Sequence, residues 1–124
     1  MNTAAFLLNQ SVNALSQAAL LFFLGVGLTL IFGIMRIVNF AHGTLFMLGA
    51  FVGYSVVRKA GSYWLAMIAA PVLVGLIGAA FELVILRRLY RRDAHAFLMV
   101  TFGLALIVGD AVRLIWGPDA LPVP

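Results

Sequence analysis

The sequence predicts an all-α integral membrane protein with about four transmembrane helices, and three observations lead to that class. Of the 124 residues, 65% are hydrophobic and 10% are charged, and the mean hydropathy is +1.13. Soluble domains carry roughly 25% charged residues, and so small a chain would need more polar side chains to cover its surface in water. The apolar residues form long blocks without period-two alternation, which predicts helices rather than the strands of a membrane barrel.

The first predicted span covers residues 14–35. No Asp, Glu, Lys or Arg occurs from Met1 to Met35, and about 20 apolar residues are enough to cross the hydrocarbon core of a bilayer. A cleaved signal peptide is the alternative, but it needs a basic region ahead of a shorter apolar core. The first basic residue here is Arg36, so a retained helix is expected.

Three more spans are predicted over residues 37–57, 62–86 and 96–116. The block 62–86 is interrupted by Pro71 and Glu82, and Gly117 with Pro118 is expected to end the last span. The chain then ends on a Pro-rich segment with no closing element. We expect from this that the chain is truncated.

The distribution of basic residues predicts the orientation. Four of the eight lie in residues 87–92 between two apolar blocks, and with Arg36 they place five on one side. The other side has Arg58 and Lys59, with Arg113 as a third. Since cytoplasmic loops carry the excess of Lys and Arg, the loop 87–92 is expected inside and both chain ends outside.

Several chemistries are not predicted for this chain. It has no cysteine, and its two histidines, His42 and His95, are too far apart for a typical zinc site. No group of nucleophile, base and orienting residue is apparent, and no Walker-type phosphate loop is present. We therefore expect no catalytic residues, no metal and no cofactor in this chain. The basic cluster fits a membrane loop, so nucleic acid is not an expected partner.

Asn39 and His42 are the polar residues that best fit a functional site. They are about one helical turn apart, on one face if the segment is helical, near the cytoplasmic end of the second span. Polar groups at membrane depth face the protein interior or a water-lined cavity. An inter-helical hydrogen bond or a cap at the helix start would explain them structurally. Alternatively they line a solute pathway or its gate, and Gly43 would permit a close approach there.

Small residues recur at four-residue spacing and predict close helix packing. Apolar side chains gain little by leaving lipid for protein, so small residues that let helix backbones approach carry much of the association. Packing within the chain is favoured over homodimerisation. The residues are Gly49 and Gly53, Gly75 and Ala79, and Thr101, Ala105 and Gly109.

The acidic residues in the later spans are expected to be structural. Glu82 lies a few residues before the arginine cluster, where a carboxylate reaches water or an arginine, so an interfacial role is favoured over a proton relay. Asp110 and Arg113 are three residues apart and are expected to pair near the outer surface.

The stretch 33–50, centred on Asn39-Phe40-Ala41-His42-Gly43, resembles the signature region of branched-chain amino-acid ABC transporter permeases of the LivH type. Residues 27–33 are similar to the end of that family's first helix. Residues 101–107 resemble a second recurrent block, and 113–117 a similar exit segment. The resemblance covers nearly the whole chain, and it adds Thr101 and Gly103 to Asn39, His42 and Gly43 as candidate pathway residues.

The resemblance implies a multi-pass subunit of the bacterial inner membrane. Such a subunit pairs with a second permease, with cytoplasmic ATPases that bind and hydrolyse the ATP, and with a periplasmic solute-binding protein. Family members are more than twice as long, so this chain is expected to be the N-terminal part of the permease domain and not to transport alone. Two alternatives stay open, a small four-helix proton-coupled exporter, which needs an acid deep in a span, and a non-transporting membrane scaffold.

Overall fold

The computed structural model describes residues 3–36 and 38–118, except the side chain of Met35. Its helices are α1 (Thr3–Met35), α2 (Ala41–Ala60), α3 (Tyr63–Phe81) and α4 (Ala94–Trp116). After Phe81, α3 continues through a π-helical segment, Glu82–Leu86, and a last α-helical turn, Arg87–Leu89. No strand occurs in the described residues, and the predicted all-α membrane class is confirmed. The chain divides into two compact units, one with α1 and one with α2 to α4.

Within the described ranges, three helices are long and apolar enough to cross a membrane. They cover Thr3–Ile34, Tyr63–Leu89 and Ala94–Trp116. The fourth, α2, has 20 residues, enough for about 30 Å at 1.5 Å per residue. It is more polar than the others because His42 lies in its first turn and Arg58 and Lys59 in its last.

α1 starts at Thr3, well ahead of the predicted span 14–35. Three of its hydroxyl groups are satisfied within the helix: Ser11, Ser16 and Thr29 each donate to the carbonyl oxygen four residues earlier, at 2.8, 2.9 and 2.8 Å. Such bonds spare these three hydroxyls from needing water, which suits a helix in lipid. Arg36 ends α1 with a left-handed φ of 52°, and its N–H donates to the carbonyl of Phe32 at 2.8 Å.

α2 and α3 form an antiparallel hairpin. Gly61 closes α2 with a φ of 63°, and its N–H donates to the carbonyl of Val57 at 2.8 Å. The Ser62 hydroxyl then accepts a hydrogen bond from the N–H of Leu65 at 3.3 Å, which caps α3. The predicted span 37–57 begins before α2 does, and Ile37 lies outside the described residues.

The third helix is more continuous than the sequence predicts. Pro71 lies inside α3 without ending it, because membrane helices tolerate the loss of one backbone hydrogen bond when neighbouring groups compensate. Glu82 does not end the helix either; it starts the π-helical segment. The helix therefore runs beyond the predicted limit of residue 86 and carries Arg87 and Arg88 in its last turn.

α4 packs against α2 through a single face. Five of its residues are buried and recur at intervals of three or four, which places them along one side of the helix. They are Phe97, Thr101, Leu104, Val108 and Val112. Toward its N-terminal end, Phe97 and Leu104 form a cluster with Ala41 and Leu86. α4 ends at Trp116, and residues 119–124 of the predicted outer segment lie outside the described part of the chain.

Candidate functional site

The start of α2 is shaped by Asn39. This residue precedes the helix, which begins at Ala41, so Asn39 and His42 do not share a helical face as the sequence suggested. The Asn39 side-chain oxygen accepts a hydrogen bond from the N–H of Ala41 at 3.0 Å, and its carbonyl accepts from the N–H of His42 at 3.2 Å. These bonds satisfy two of the four N–H groups that a helix start leaves unpaired. These bonds are of the kind expected from the helix-entry cap that the sequence offered as one structural explanation, and a role of Asn39 in a solute pathway stays a prediction.

His42 has an unsatisfied polar atom. The residue is half-buried in the first turn of α2. Its Nε2 atom is shielded from solvent and has no hydrogen-bond partner among the described residues. Leaving a buried polar atom unpaired costs about 1–3 kcal/mol. Residues 3–36 and 38–118 do not supply the polar partner that this buried atom requires.

The structure brings the two recurrent sequence blocks together. The rings of Phe40 and Phe102 lie 6.0 Å apart, edge to face, so the start of α2 lies beside the part of α4 that contains Thr101 and Gly103. Phe40 is 50% and Phe102 is 54% exposed. A side chain at Gly43 or Gly103 would meet no atom within 4 Å, so there is open space beside both glycines.

Thr101 differs from the other candidates because it is completely buried. Its hydroxyl donates to the carbonyl of Leu98 in its own helix, at 3.1 Å. The side chain lies on the buried face of α4 together with Phe97 and Leu104. The burial and the satisfied hydroxyl fit a packing role better than direct contact with a solute.

Phe40 and Phe102 are not among the predicted site residues, although they lie within residues 33–50 and 101–107. The available signal was their position, since each is adjacent to candidate pathway residues, Phe40 to Asn39 and Phe102 to Thr101 and Gly103. An aromatic residue in an apolar block has no distinguishing pattern until a partner is known. Only the pairing of the rings across two helices marks them.

The predicted packing residues fall into two groups. Gly49 and Gly53 lie on α2 against α3: a Cβ atom would lie 3.7 Å from Val74 Cγ2 at Gly49 and 3.8 Å from Ala70 Cβ at Gly53. Gly78, which was not predicted, has the same relation to Leu45 at 3.8 Å. By contrast, a Cβ atom at Gly75 or Gly109 would meet nothing within 4 Å, while Ala79 is exposed and Ala105 half-buried.

The far end of α2 is joined to the end of α4 by Trp116. Its indole N–H donates to the Ser55 hydroxyl oxygen at 2.7 Å, and that hydroxyl donates to the carbonyl of Phe51 at 2.9 Å. The rings of Phe51 and Trp116 lie 5.5 Å apart. An apolar groove of about 310 Å³ opens beside them, with Lys59 at its edge. The sequence did not predict this contact between residues 61 positions apart.

Near the end of α3, the charge of Glu82 acts on Tyr90, and Glu82 makes no ion pair with an arginine among the described residues. Burial, the charge of Glu82 and a hydrogen bond to its carboxylate all raise the pKa of the Tyr90 hydroxyl. The Tyr90 ring stacks on buried Phe97, with centroids 6.1 Å apart.

Among the described residues the only ion pair joins Arg113 and Asp110 at 3.9 Å, which confirms their predicted pairing. In the same residues, no group of three or more potential metal ligands occurs.

Comparison with known proteins identifies similar transport proteins. Residues 10–122 match the family profile described as "Branched-chain amino acid transport system / permease component". The chain is 31% identical over 116 residues to the high-affinity branched-chain amino acid transport system permease protein BraD of Pseudomonas aeruginosa, covering 86% of this chain and 38% of the relative. It is 25% identical over 128 residues to the corresponding protein LivH of Escherichia coli strain K12, covering 96% and 42%.

A LivH protein of Salmonella typhimurium is 24% identical over 128 residues, with the same coverage as the protein of Escherichia coli. This chain therefore spans about two fifths of the length of the curated relatives that it matches. No solved structure gives a significant match.

Proposed function

This chain belongs to the family of branched-chain amino acid transport system permease components, and from that premise we propose that it forms part of the pathway of an importer for branched-chain amino acids or similar small solutes. The family and the long apolar helices make it a multi-pass membrane protein with a transport permease role. Since the chain spans about two fifths of its relatives, the solute, direction and partners are proposed for the whole permease.

The proposed energy source is ATP hydrolysed by separate cytoplasmic ATPase chains. The sequence has no phosphate-binding loop of its own. Neither acid of the predicted spans suits proton coupling, because Glu82 lies a few residues before the arginine cluster and Asp110 pairs with Arg113. These positions disfavour the small proton-coupled exporter. The proposed partners are these ATPases, a second permease subunit and a periplasmic solute-binding protein, in the bacterial inner membrane.

Within the chain, the unpaired Nε2 of His42 carries the pathway proposal. A shielded nitrogen without a partner is stabilised by a polar group from a neighbouring subunit, another part of the permease or the passing solute. The open space beside Gly43 and Gly103 supports the same location. In this proposal His42, Gly43 and Gly103 border the pathway, Asn39 orients the start of α2, and Thr101 packs α4 against α2.

Substitutions in the full-length permease test the role of His42. His42→Leu removes the polar atom and with it the hydrogen bond proposed for the whole permease. The loss of that one bond predicts a fall in uptake of roughly 5- to 150-fold, with little change in the amount of protein in the membrane. His95→Leu is the matched control, since His95 is exposed at the start of α4. Asn39→Ser retains a capping oxygen, whereas Asn39→Leu does not. Normal uptake by His42→Leu would make this histidine a packing residue.

Reconstitution tests the transport class. Liposomes with the full-length permease, the second permease, the ATPases and the binding protein should take up leucine, isoleucine or valine with ATP but not with a proton gradient alone. A catalytically inactive ATPase is the control. Uptake driven by the gradient alone would refute the proposed coupling and support the exporter class.

A further inference from the structure

The inner end of α3 carries a dense group of exposed positive charge. Arg87 and Arg88 lie in the last turn of the helix, and Arg91 and Arg92 lie in the turn that follows. All four side chains are exposed. We define these residues as the arginine turn, and we propose that it binds the phosphate headgroups of anionic phospholipids at the membrane surface.

The nearest acids leave this charge uncompensated. Glu82 lies about one turn before Arg87 and makes no ion pair with an arginine among the described residues. Asp93 precedes α4 and makes no ion pair in the described part of the chain. The ion pair found there, Arg113–Asp110, is distant in sequence from the arginine turn. The arginine turn therefore presents guanidinium groups that no described side chain neutralises.

The geometry of the connection favours lipid over a distant protein surface. The N–H of Arg92 donates to the carbonyl of Leu89 at 2.8 Å, so the chain reverses tightly, and α4 already begins at Ala94. Both flanking helices are long and apolar enough to span a membrane. A four-residue connection between two such spans cannot extend far from the bilayer, so its charges remain near the headgroups.

Aromatic contacts hold the turn in place. Tyr90 lies between the two pairs of arginines, and its ring stacks on Phe97, which is 2% exposed. Tyr90 itself is 41% exposed, and a tyrosine, with its apolar ring and polar hydroxyl, is typical of the membrane interface. Guanidinium groups bind phosphate oxygens through two parallel hydrogen bonds, so an ordered turn with four of them matches a phosphodiester headgroup.

The matched control lies at the other end of the hairpin. Contacts between α2 and α3 join Gly53 to Ala70 and Gly49 to Val74, so the helices are antiparallel. Arg58 and Lys59, in the last turn of α2, are therefore at the opposite end from the arginine turn. Removing these two charges lowers the net charge as much as removing Arg91 and Arg92 does.

The experiment measures lipid binding to the purified chain in a non-ionic detergent, where the sidedness of a membrane has no influence. Native mass spectrometry gives the ratio of bound dioleoyl phosphatidylglycerol to bound dioleoyl phosphatidylcholine. We expect a ratio well above one, reduced by about fivefold for each arginine lost, so that Arg91→Gln/Arg92→Gln lowers it by roughly 25-fold. Arg58→Gln/Lys59→Gln should change it much less, and Arg91→Lys/Arg92→Lys should retain most of it.

Three results would overturn the proposal: equal binding of the two lipids, an equal loss in both Gln double variants, or an undiminished ratio in Arg91→Gln/Arg92→Gln. A variant whose helicity by circular dichroism falls is replaced by the single variants Arg91→Gln and Arg92→Gln, for which the same expectation holds. If the lipid ratio is unchanged while uptake by the full permease is lost, the arginine turn binds a protein partner instead.

Discussion

The close contact of α2 with α3 makes a quantitative prediction about Gly49. A Cβ atom at this position would lie 3.7 Å from Val74 Cγ2, an ordinary van der Waals distance. Gly49→Ala should therefore fit, and because alanine favours helix it should change stability by less than about 1 kcal/mol or increase it. Gly49→Leu adds three further carbons in a space that Val74 already fills. Overpacking of this kind costs about 1–3 kcal/mol.

Gly75 provides the matched control. It belongs to the same four-residue pattern of small residues, but a Cβ atom there would meet nothing within 4 Å. Gly75→Leu in this chain should thus carry no packing cost and, because leucine favours helix over glycine, should increase stability by up to about 1 kcal/mol. The contrast between Gly49→Leu and Gly75→Leu isolates the packing from the general effect of placing leucine in a helix.

The assay is equilibrium unfolding of the chain in mixed micelles titrated with sodium dodecyl sulfate. Circular dichroism follows the helices, and tryptophan fluorescence follows the tertiary structure through Trp64 and Trp116. Equal destabilisation by Gly49→Leu and Gly75→Leu would refute the reasoning, since it would show that the contact between α2 and α3 does not determine the cost. So would a loss above about 1 kcal/mol in Gly49→Ala, which should be accommodated.

Two other predictions concern topology and pH. Because the chain has no cysteine, single cysteines at the exposed positions Ala60 and Asp93 should label from opposite sides of the membrane, Asp93 from the cytoplasm. Labelling of Asp93 from the outside would contradict the predicted orientation, and same-side labelling would contradict a membrane-spanning α3. Burial and then the charge of Glu82 raise the pKa of Tyr90 above its ordinary value of 10.0. The neutral Tyr90 hydroxyl therefore adds stability to the fold, fully at pH values below 10.0, and this contribution is lost as pH rises through the raised pKa. Glu82→Gln should lower the Tyr90 pKa, as followed by ultraviolet absorbance of the phenolate, and an unchanged titration would remove Glu82 as a cause.

Part of the candidate site could be predicted from its polar residues. Asn39 and His42 are conspicuous in a chain with few polar residues, because lipid makes every unpaired polar group costly. Their roles were not separable in the sequence. The structure separates them, since Asn39 bonds to the backbone at the start of α2 while His42 Nε2 has no partner among the described residues. Such a difference depends on where each side chain points, which periodicity does not encode.

The all-α membrane class required only composition and block length, because the bilayer imposes a minimum length and an apolar surface on any spanning helix. The pairing of Asp110 with Arg113 was also predictable, since it is local. The tertiary structure alone decided the contacts between distant residues, Phe40 with Phe102 and Ser55 with Trp116. It also distinguished Gly49, which packs on α3, from Gly75, which does not. Small residues at equal spacing are identical in sequence, and only the position of a second helix determines which of them it contacts.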